Sequence, residues 1–405
     1  MAEAVVATTL ATTRGPLAAG ERLRSIDILR GLVIALMALD HVRDFLHYAA
    51  YQFDPLDAGQ TNFALYLTRW LTHFCAPTFV FLAGVSAWLQ AAKGKSPREL
   101  SRFLLTRGLW LFVLELTVIG FAWSFSIPFM QFLQVIWAIG ISMVVLAGLV
   151  WLPRAAVLAI GLAVIAGHNL LDPITSQQLG KLGTAWMLIH DGGVLFSDGA
   201  PSALIAYPVL PWLGVMALGY GLGAVFQSPR RDRVLVLVGA GMIVAFFALR
   251  LLNGYGNPQP WGAGEDLRAT LMRFFNVQKY PPSLMFVCIT LGPVLLLTPL
   301  LERWRGWLAE VFRTFGAVPL FAYVLHAYIA HLLALAVNAA LGNPLGAFFN
   351  FVKNIVFNGQ ALSGTGVTLP FVYLGWLGVL ALLYPMCRWW ARVRATRRTW
   401  WMSYL

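Results

Sequence analysis

Ten apolar runs, each long enough to cross the roughly 30 Å hydrocarbon layer of a bilayer as a helix, dominate this sequence. They fall at 26–47, 63–91, 103–125, 129–151, 154–171, 203–226, 232–253, 282–301, 315–340 and 369–390. In hydrocarbon every backbone polar group needs a partner within the protein, so spanning structures are helices or closed barrels. Barrel strands are short and alternate in polarity; these runs are long and do not. The expected fold class is therefore all-α, a polytopic membrane protein of about ten transmembrane helices. Charged residues make up only 11% of the chain, against about 25% in soluble globular proteins. Sixteen tryptophans suit membrane–water interfaces.

The net charge of +12 would suggest a nucleic-acid partner in a soluble protein. Its distribution argues for sidedness, and no nucleic-acid partner is expected. Arg14, Arg22, Arg24, Lys93, Lys95, Arg98, Arg102, Arg154, Arg230, Arg231, Arg233, Arg303, Arg305, Arg313, Arg388, Arg392, Arg394, Arg397 and Arg398 lie on one set of connections. The opposite set carries Lys181, Arg268, Arg273, Lys279 and Lys353. The positive-inside rule then puts both termini in the cytoplasm, in the inner membrane of a cell. Residues 1–21 read as a flexible cytoplasmic tail, 22–392 as a single transmembrane domain and 393–405 as a basic cytoplasmic tail. The long loops at 172–202, 254–281 and 341–368 face outward, and loops of such length usually pack or bind something. Cys75, Cys288 and Cys387 show no metal-ligand spacing, so neither a disulfide framework nor a metal site is expected.

Ionisable residues inside a span are costly and point to function. The first span is the richest. Asp27, Arg30, Met37, His41 and Asp44 recur at three- and four-residue spacing and form one stripe along a helix. Arg30 and His41 are eleven residues apart, close to three turns and about 16.5 Å of helix. An anion held by Arg30 at the cytoplasmic mouth can thus extend an arm to His41. Acyl-coenzyme A has that shape, with phosphates at one end and a thioester at the other. Asp40, Arg43 and Asp44 bracket His41, a setting for proton transfer. Asp27 and Arg30 also read as a helix-end ion pair.

The second span carries Arg69 and His73 one turn apart, followed by Cys75. Antiparallel adjacency lets them converge on His41, although a buried histidine also serves as a hydrogen-bonder to a backbone carbonyl. Glu115 in the third span is expected to be protonated or paired, with Arg69 or a histidine as candidate partners. In the ninth span Tyr323 and His326 share a face, and His331 points elsewhere as an interhelical hydrogen-bonder. Lys279 precedes the eighth span, where a lysine often snorkels. Gly214, Gly219, Gly221 and Gly223 suggest close helix packing, since no strand precedes them as a nucleotide loop requires.

Several of these stretches resemble one family. RLRSIDILRG at 22–31, MALDHVRDF at 37–45, THFCAPTFVFLAG at 72–84, YPVLPWLG at 207–214, KYPPS at 279–283 and PLFAYVLH at 319–326 resemble bacterial members of the heparan-alpha-glucosaminide N-acetyltransferase catalytic-domain family. The likeness spreads from about residue 22 to 390. It implies a transmembrane acyltransferase that takes an acyl group, usually acetyl, from cytoplasmic acyl-coenzyme A. The group passes to an acceptor amine or hydroxyl, often of a sugar, on the far side. No tightly bound cofactor is implied, since acetyl-CoA is a co-substrate. The Arg30–His41 spacing is similar to the arginine–histidine motif of the broader membrane acyltransferases, which gives His41 the catalytic position. In the animal lysosomal enzymes an asparagine resembles the His41 slot and the active histidine lies further on, so one or two histidines remain open. On this reading Arg30, Asp27, Arg69 and Lys279 hold the donor. His41 acts as base or acyl acceptor, Asp40 or Asp44 orients it, His73 is a further catalytic candidate, and Arg43, Glu115, Tyr323 and His326 support the centre. A homodimer is left open. A proton-coupled transporter is the rival reading, with a paired-half architecture as its signature; a structural scaffold is a third.

Overall fold

The computed structural model describes residues 23–397 other than 51, together with Thr399 and Met402. The expected tail at 1–21 lies outside the described residues, as does most of 398–405.

The chain is mostly helical, and a helix occupies every one of the ten apolar runs. The principal helices are α1 (Arg24–Leu46), α2 (Phe63–Ala91), α3 (Pro97–Ser124), α4 (Val135–Leu149), α5 (Arg154–Leu171), α6 (Val209–Gln227), α7 (Arg231–Leu252) and α8 (Leu284–Arg303). After them come α9 (Trp307–Ala317), α10 (Pro319–Ala340) and α11 (Leu369–Thr396). Among the described residues eight are long and apolar enough to cross a membrane: α2, α3, α5–α8, α10 and α11. The two other expected spans differ for separate reasons. α4 has 15 residues, and α1 carries Asp27, Arg30, Asp40, Arg43 and Asp44 along its length.

The charges of α1 are tolerable because it is the hub of the bundle. It packs against α2, α8, α9, α10 and α11, so its polar side chains meet protein and not lipid. The most exposed helices are apolar instead. Leu237, Val244, Leu251 and Leu252 of α7 and Phe371, Leu374 and Leu382 of α11 all face outward from the bundle, as lipid-facing positions should.

Close backbone approach fixes the hub. A Cβ on Gly31 would sit 1.8 Å from the Phe312 carbonyl oxygen, and one on Gly316 would sit 1.7 Å from that of Asp27. Only glycine permits this crossing of α1 and α9, which pins the start of α1. The glycines of α6 act in the same way: a Cβ on Gly219 would meet the Phe81 carbonyl of α2 at 2.1 Å. The expected packing role of the α6 glycines is thus what the structure shows.

The loops at the end of the bundle away from the start of α1 fold over it. Arg250, at the end of α7, donates to the carbonyls of Phe274 (2.7 Å), Arg273 (2.9 Å) and Asn276 (2.8 Å). It thereby caps the short helix Leu267–Phe275 with a cation where the helix dipole favours one. Tyr66 and Trp70 of α2 donate to Met272 and Phe275 of the same segment. A small three-stranded sheet is the departure from an all-α chain. β1 (Gln131–Leu133) pairs in parallel with β3 (Ala200–Ile205), which forms a hairpin with β2 (Gly193–Ser197). Asp198 and Gly199 both take positive φ at its turn, the conformation a two-residue hairpin demands.

Candidate functional site

Where α1 and α10 pack together, two histidines meet. His41 Nδ1 and His326 Nε2 lie 2.7 Å apart, with the rings stacked at 4.8 Å. Trp123 of α3 stands edge-on to His41 at 4.8 Å. His326 Nδ1 lies 3.2 Å from the Ala322 carbonyl one turn earlier. A carbonyl oxygen can only accept, and a neutral imidazole has one N–H. His326 Nδ1 therefore carries its proton, His326 Nε2 accepts from His41 Nδ1–H, and the lone pair of His41 sits on Nε2. That nitrogen makes no protein hydrogen bond among the described residues. The pair thus presents an oriented base.

Tyr323, one turn before His326, has its ring 5.4 Å from the His326 ring. Its hydroxyl is buried and without a hydrogen-bond partner. The same tyrosine lines a cavity of about 610 Å³, within the range of small-molecule sites. The walls near Tyr323 are apolar, including Leu111, Val135, Ile136, Ile139 and Met143. Arg30, Lys95, Arg107 and Arg394 also line the cavity, and no carboxylate does. Arg30 is positioned by Ser86 of α2, to which it donates, and by Asp27 at 3.6 Å. Arg394 reaches the Ala317 carbonyl at 3.4 Å. The cavity therefore combines four cations with apolar walls, and Tyr323 of its lining packs against His326 of the histidine pair.

A second charged region lies beyond His41 along α1. Asp40 accepts from Arg69 through both oxygens at 2.8 and 2.9 Å and from Thr72 at 2.9 Å. Arg43 lies 2.9 Å from the same carboxylate and also donates to Asp44. Arg69 is within hydrogen-bonding reach of Tyr280, which in turn meets Lys279 and Tyr207. Lys279 stands 5.0 Å from the Tyr280 ring centroid. His73 sits in the 3-10 turn Thr72–Phe74 that interrupts α2, packed on Phe286 with Nε2 unpartnered.

The residues singled out in the sequence thus divide into two groups. Arg30 and Tyr323 line the cavity, Asp27 pairs with Arg30, and His326 and His41 follow from Tyr323 by contact. Asp40, Arg43, Asp44, Arg69, His73 and Lys279 form the second cluster, so Arg69 and Lys279 do not line the cationic cavity with Arg30. Neither Asp40 nor Asp44 orients the His41 ring; His326 does. Adjacent helical residues point about 100° apart, which turns Asp40 away from the imidazole. Glu115 pairs with neither Arg69 nor a histidine. It accepts from the backbone N–H groups of Gln134 (3.0 Å) and Trp137 (3.2 Å) and so caps the start of α4, satisfying donors that a helix N-terminus leaves open. His331 is an interhelical hydrogen-bonder, its ring nitrogens facing the carbonyls of Ala122 (2.7 Å) and Phe348 (3.1 Å). Three cavity cations went unassigned. Lys95 and Arg394 read only as markers of sidedness, and Arg107 is a single charge in an apolar run.

Outside the spans, Glu310 of α9 has its carboxyl held below the ordinary glutamate value by hydrogen bonds from Arg24 and Arg313. The Arg24 bond, at 2.7 Å, ties the start of α1 to α9.

Fold and site together define a multi-pass helical membrane protein with a buried histidine pair and a cavity whose lining carries four cations and Tyr323. Residues 22–251 match the family model described as heparan-alpha-glucosaminide N-acetyltransferase, catalytic. The match covers more than half of the chain, and the protein belongs to that family of membrane acyltransferases. It includes Arg30, Asp40, His41, Arg69, His73 and Glu115, and stops short of Lys279, Tyr323, His326 and Arg394. No curated protein matches the chain significantly. The family match lends no support to the transporter reading.

Proposed function

We propose that the protein transfers an acyl group, most simply acetyl, from acyl-coenzyme A to a sugar-like amine or hydroxyl on the opposite side of the inner membrane. The chain crosses the bilayer ten times, with α1 and α4 included and both termini in the cytoplasm. The observation that carries this reading is the cavity: four cations and no carboxylate in its lining, apolar walls, and a lining Tyr323 packed against His326, the hydrogen-bond partner of His41. The cations hold the phosphates of the donor, and the apolar walls take its pantetheine arm. The Tyr323 hydroxyl donates to the thioester carbonyl oxygen as negative charge develops there. The acceptor arrives from the side of Asp40, Arg69 and Lys279.

His41 Nε2 takes the proton from the acceptor as its nitrogen or oxygen bonds to the thioester carbon. Collapse of the tetrahedral adduct breaks the carbon–sulfur bond, and the proton passes from His41 to the departing thiolate. His326 holds the neutral tautomer at the start and shares the charge of the imidazolium. A rapid burst of free coenzyme A without acceptor would instead mark an acylated His41.

The test is purified protein in detergent with radiolabelled acetyl-CoA and a panel of amino sugars and polyols. Transfer of label to an acceptor is expected. Neither binding nor transfer of the donor would overturn the proposal, and solute flux in proteoliposomes without donor would favour transport.

A further inference from the structure

A set of side chains with metal-binding chemistry lies apart from the histidine pair, around the end of α5. His168 and Asp172 stand one helical turn apart there, and His190 comes from the π-turn Met187–Asp191. One donor atom from each lies within 4.8 Å of the other two. Both imidazoles are 2% exposed. Neither ring nitrogen of His168 makes a well-formed hydrogen bond; the Pro282 backbone carbonyl offers an acceptor to one of them, which leaves the lone pair of the other buried and unclaimed. His190 Nε2 lies 3.5 Å from Asp172 Oδ1 and 3.0 Å from the His168 carbonyl, so it carries the proton while facing these acceptors. The ring must take the other tautomer, with the proton on Nδ1, to offer Nε2 to a metal.

We propose that His168, Asp172 and His190 bind a divalent transition metal of the zinc class. Two imidazoles and a carboxylate are ligands that zinc accepts, at about 2.0–2.2 Å. Tetrahedral donors then stand roughly 3.4 Å apart, so the side chains close by about an ångström on binding. Asp172 is the partly exposed member, and water completes the shell on its side. The outer shell is in place: Asn169 donates to Asp172 Oδ2 at 2.9 Å, and Trp186 stacks on His190 at 5.2 Å. Such partners fix ligand orientation. The Asn169 side-chain Oδ1 also accepts from the backbone N–H of Leu284 at 2.9 Å. Leu284 opens α8, just after the segment that carries Lys279 and Tyr280. The metal therefore staples the end of α5, the 187–191 turn and the start of α8.

The sequence hides this site because His190 lies far along the chain from His168, so no ligand spacing appears. The test uses protein purified without a histidine tag, stripped with EDTA and titrated with Zn²⁺ and Co²⁺. Stoichiometric zinc retained through gel filtration, a raised melting temperature and the visible bands of four-coordinate cobalt are expected. His168→Ala and Asp172→Asn should each weaken zinc by about tenfold or more. Asp172→Asn keeps the volume of a partly exposed residue, so it reports on the metal even where His168→Ala fails to fold. Wild-type protein that retains no stoichiometric zinc, or an Asp172→Asn variant that binds it as wild type does, would overturn the proposal.

Discussion

The two charged regions along α1 are built on opposite principles. Around Asp40 the charges compensate one another: Arg69, Arg43 and Thr72 converge on one carboxylate, and Arg43 also serves Asp44. Around Arg30 acids are scarcer: the cavity lining holds four cations and no carboxylate, and Asp27 pairs with Arg30 at 3.6 Å from outside that lining. A self-neutralising cluster fixes shape, because each partner leaves a buried charge behind if the other is removed. A cavity of one sign is suited to a ligand of the other. The histidine pair sits between the two, so the molecule separates holding itself together from holding a polyanion.

Breaking the compensated side should cost stability first. Arg69→Ala leaves Asp40 with Arg43 and Thr72 alone, and a loss of up to about 3 kcal/mol is expected, read as a lower melting temperature in detergent; an unchanged melting temperature would show that the cluster is not structural. Next in size, His326→Ala removes the partner of His41. It should lower kcat by about a hundredfold, with KM for acetyl-CoA little changed. On the cavity side, Arg394→Ala should raise KM for acetyl-CoA by about tenfold, roughly 1.4 kcal/mol, at nearly constant kcat. The effect should shrink as salt rises; the same KM effect from Arg69→Ala would erase the contrast between the regions.

Glu115→Gln keeps one accepting oxygen for α4 but sets an amide NH2 against the second backbone N–H. About 1 kcal/mol of stability should be lost, and donor affinity should hold. The smallest effect belongs to Glu310, half exposed beside Arg24 and Arg313, where such pairs contribute at most about 1 kcal/mol. Its folded pKa lies below the ordinary value, so this stabilisation is present above the ordinary glutamate range and vanishes as pH falls through the folded value. Thermal melts of wild type and Glu310→Gln should differ slightly at neutral pH and converge in acid.

The helices were legible because apolar length is a local property. α1 stood out because its charges break that pattern, and the stripe through Arg30 and His41 follows from helical spacing alone. The meeting of His41 with His326 did not follow, since it depends on how α10 packs against α1, residues 285 apart in sequence. Asp40 was assigned to the imidazole from adjacency in sequence, which a helix turns into divergence in space. Glu115 looked like an ion-pair partner; backbone donors of α4, invisible in a string of side chains, claim it instead. The Asp198-Gly199 hairpin carried a turn signal, but its strands lack the alternation that would have marked a sheet.

The most direct measurement is single-turnover acetyl transfer by His41→Ala, alongside acetyl-CoA binding by the same preparation. If His41 is the base, binding stays within a few-fold of wild type and transfer falls by about two to four orders of magnitude. Transfer at the wild-type rate with binding intact would remove His41 from the chemistry.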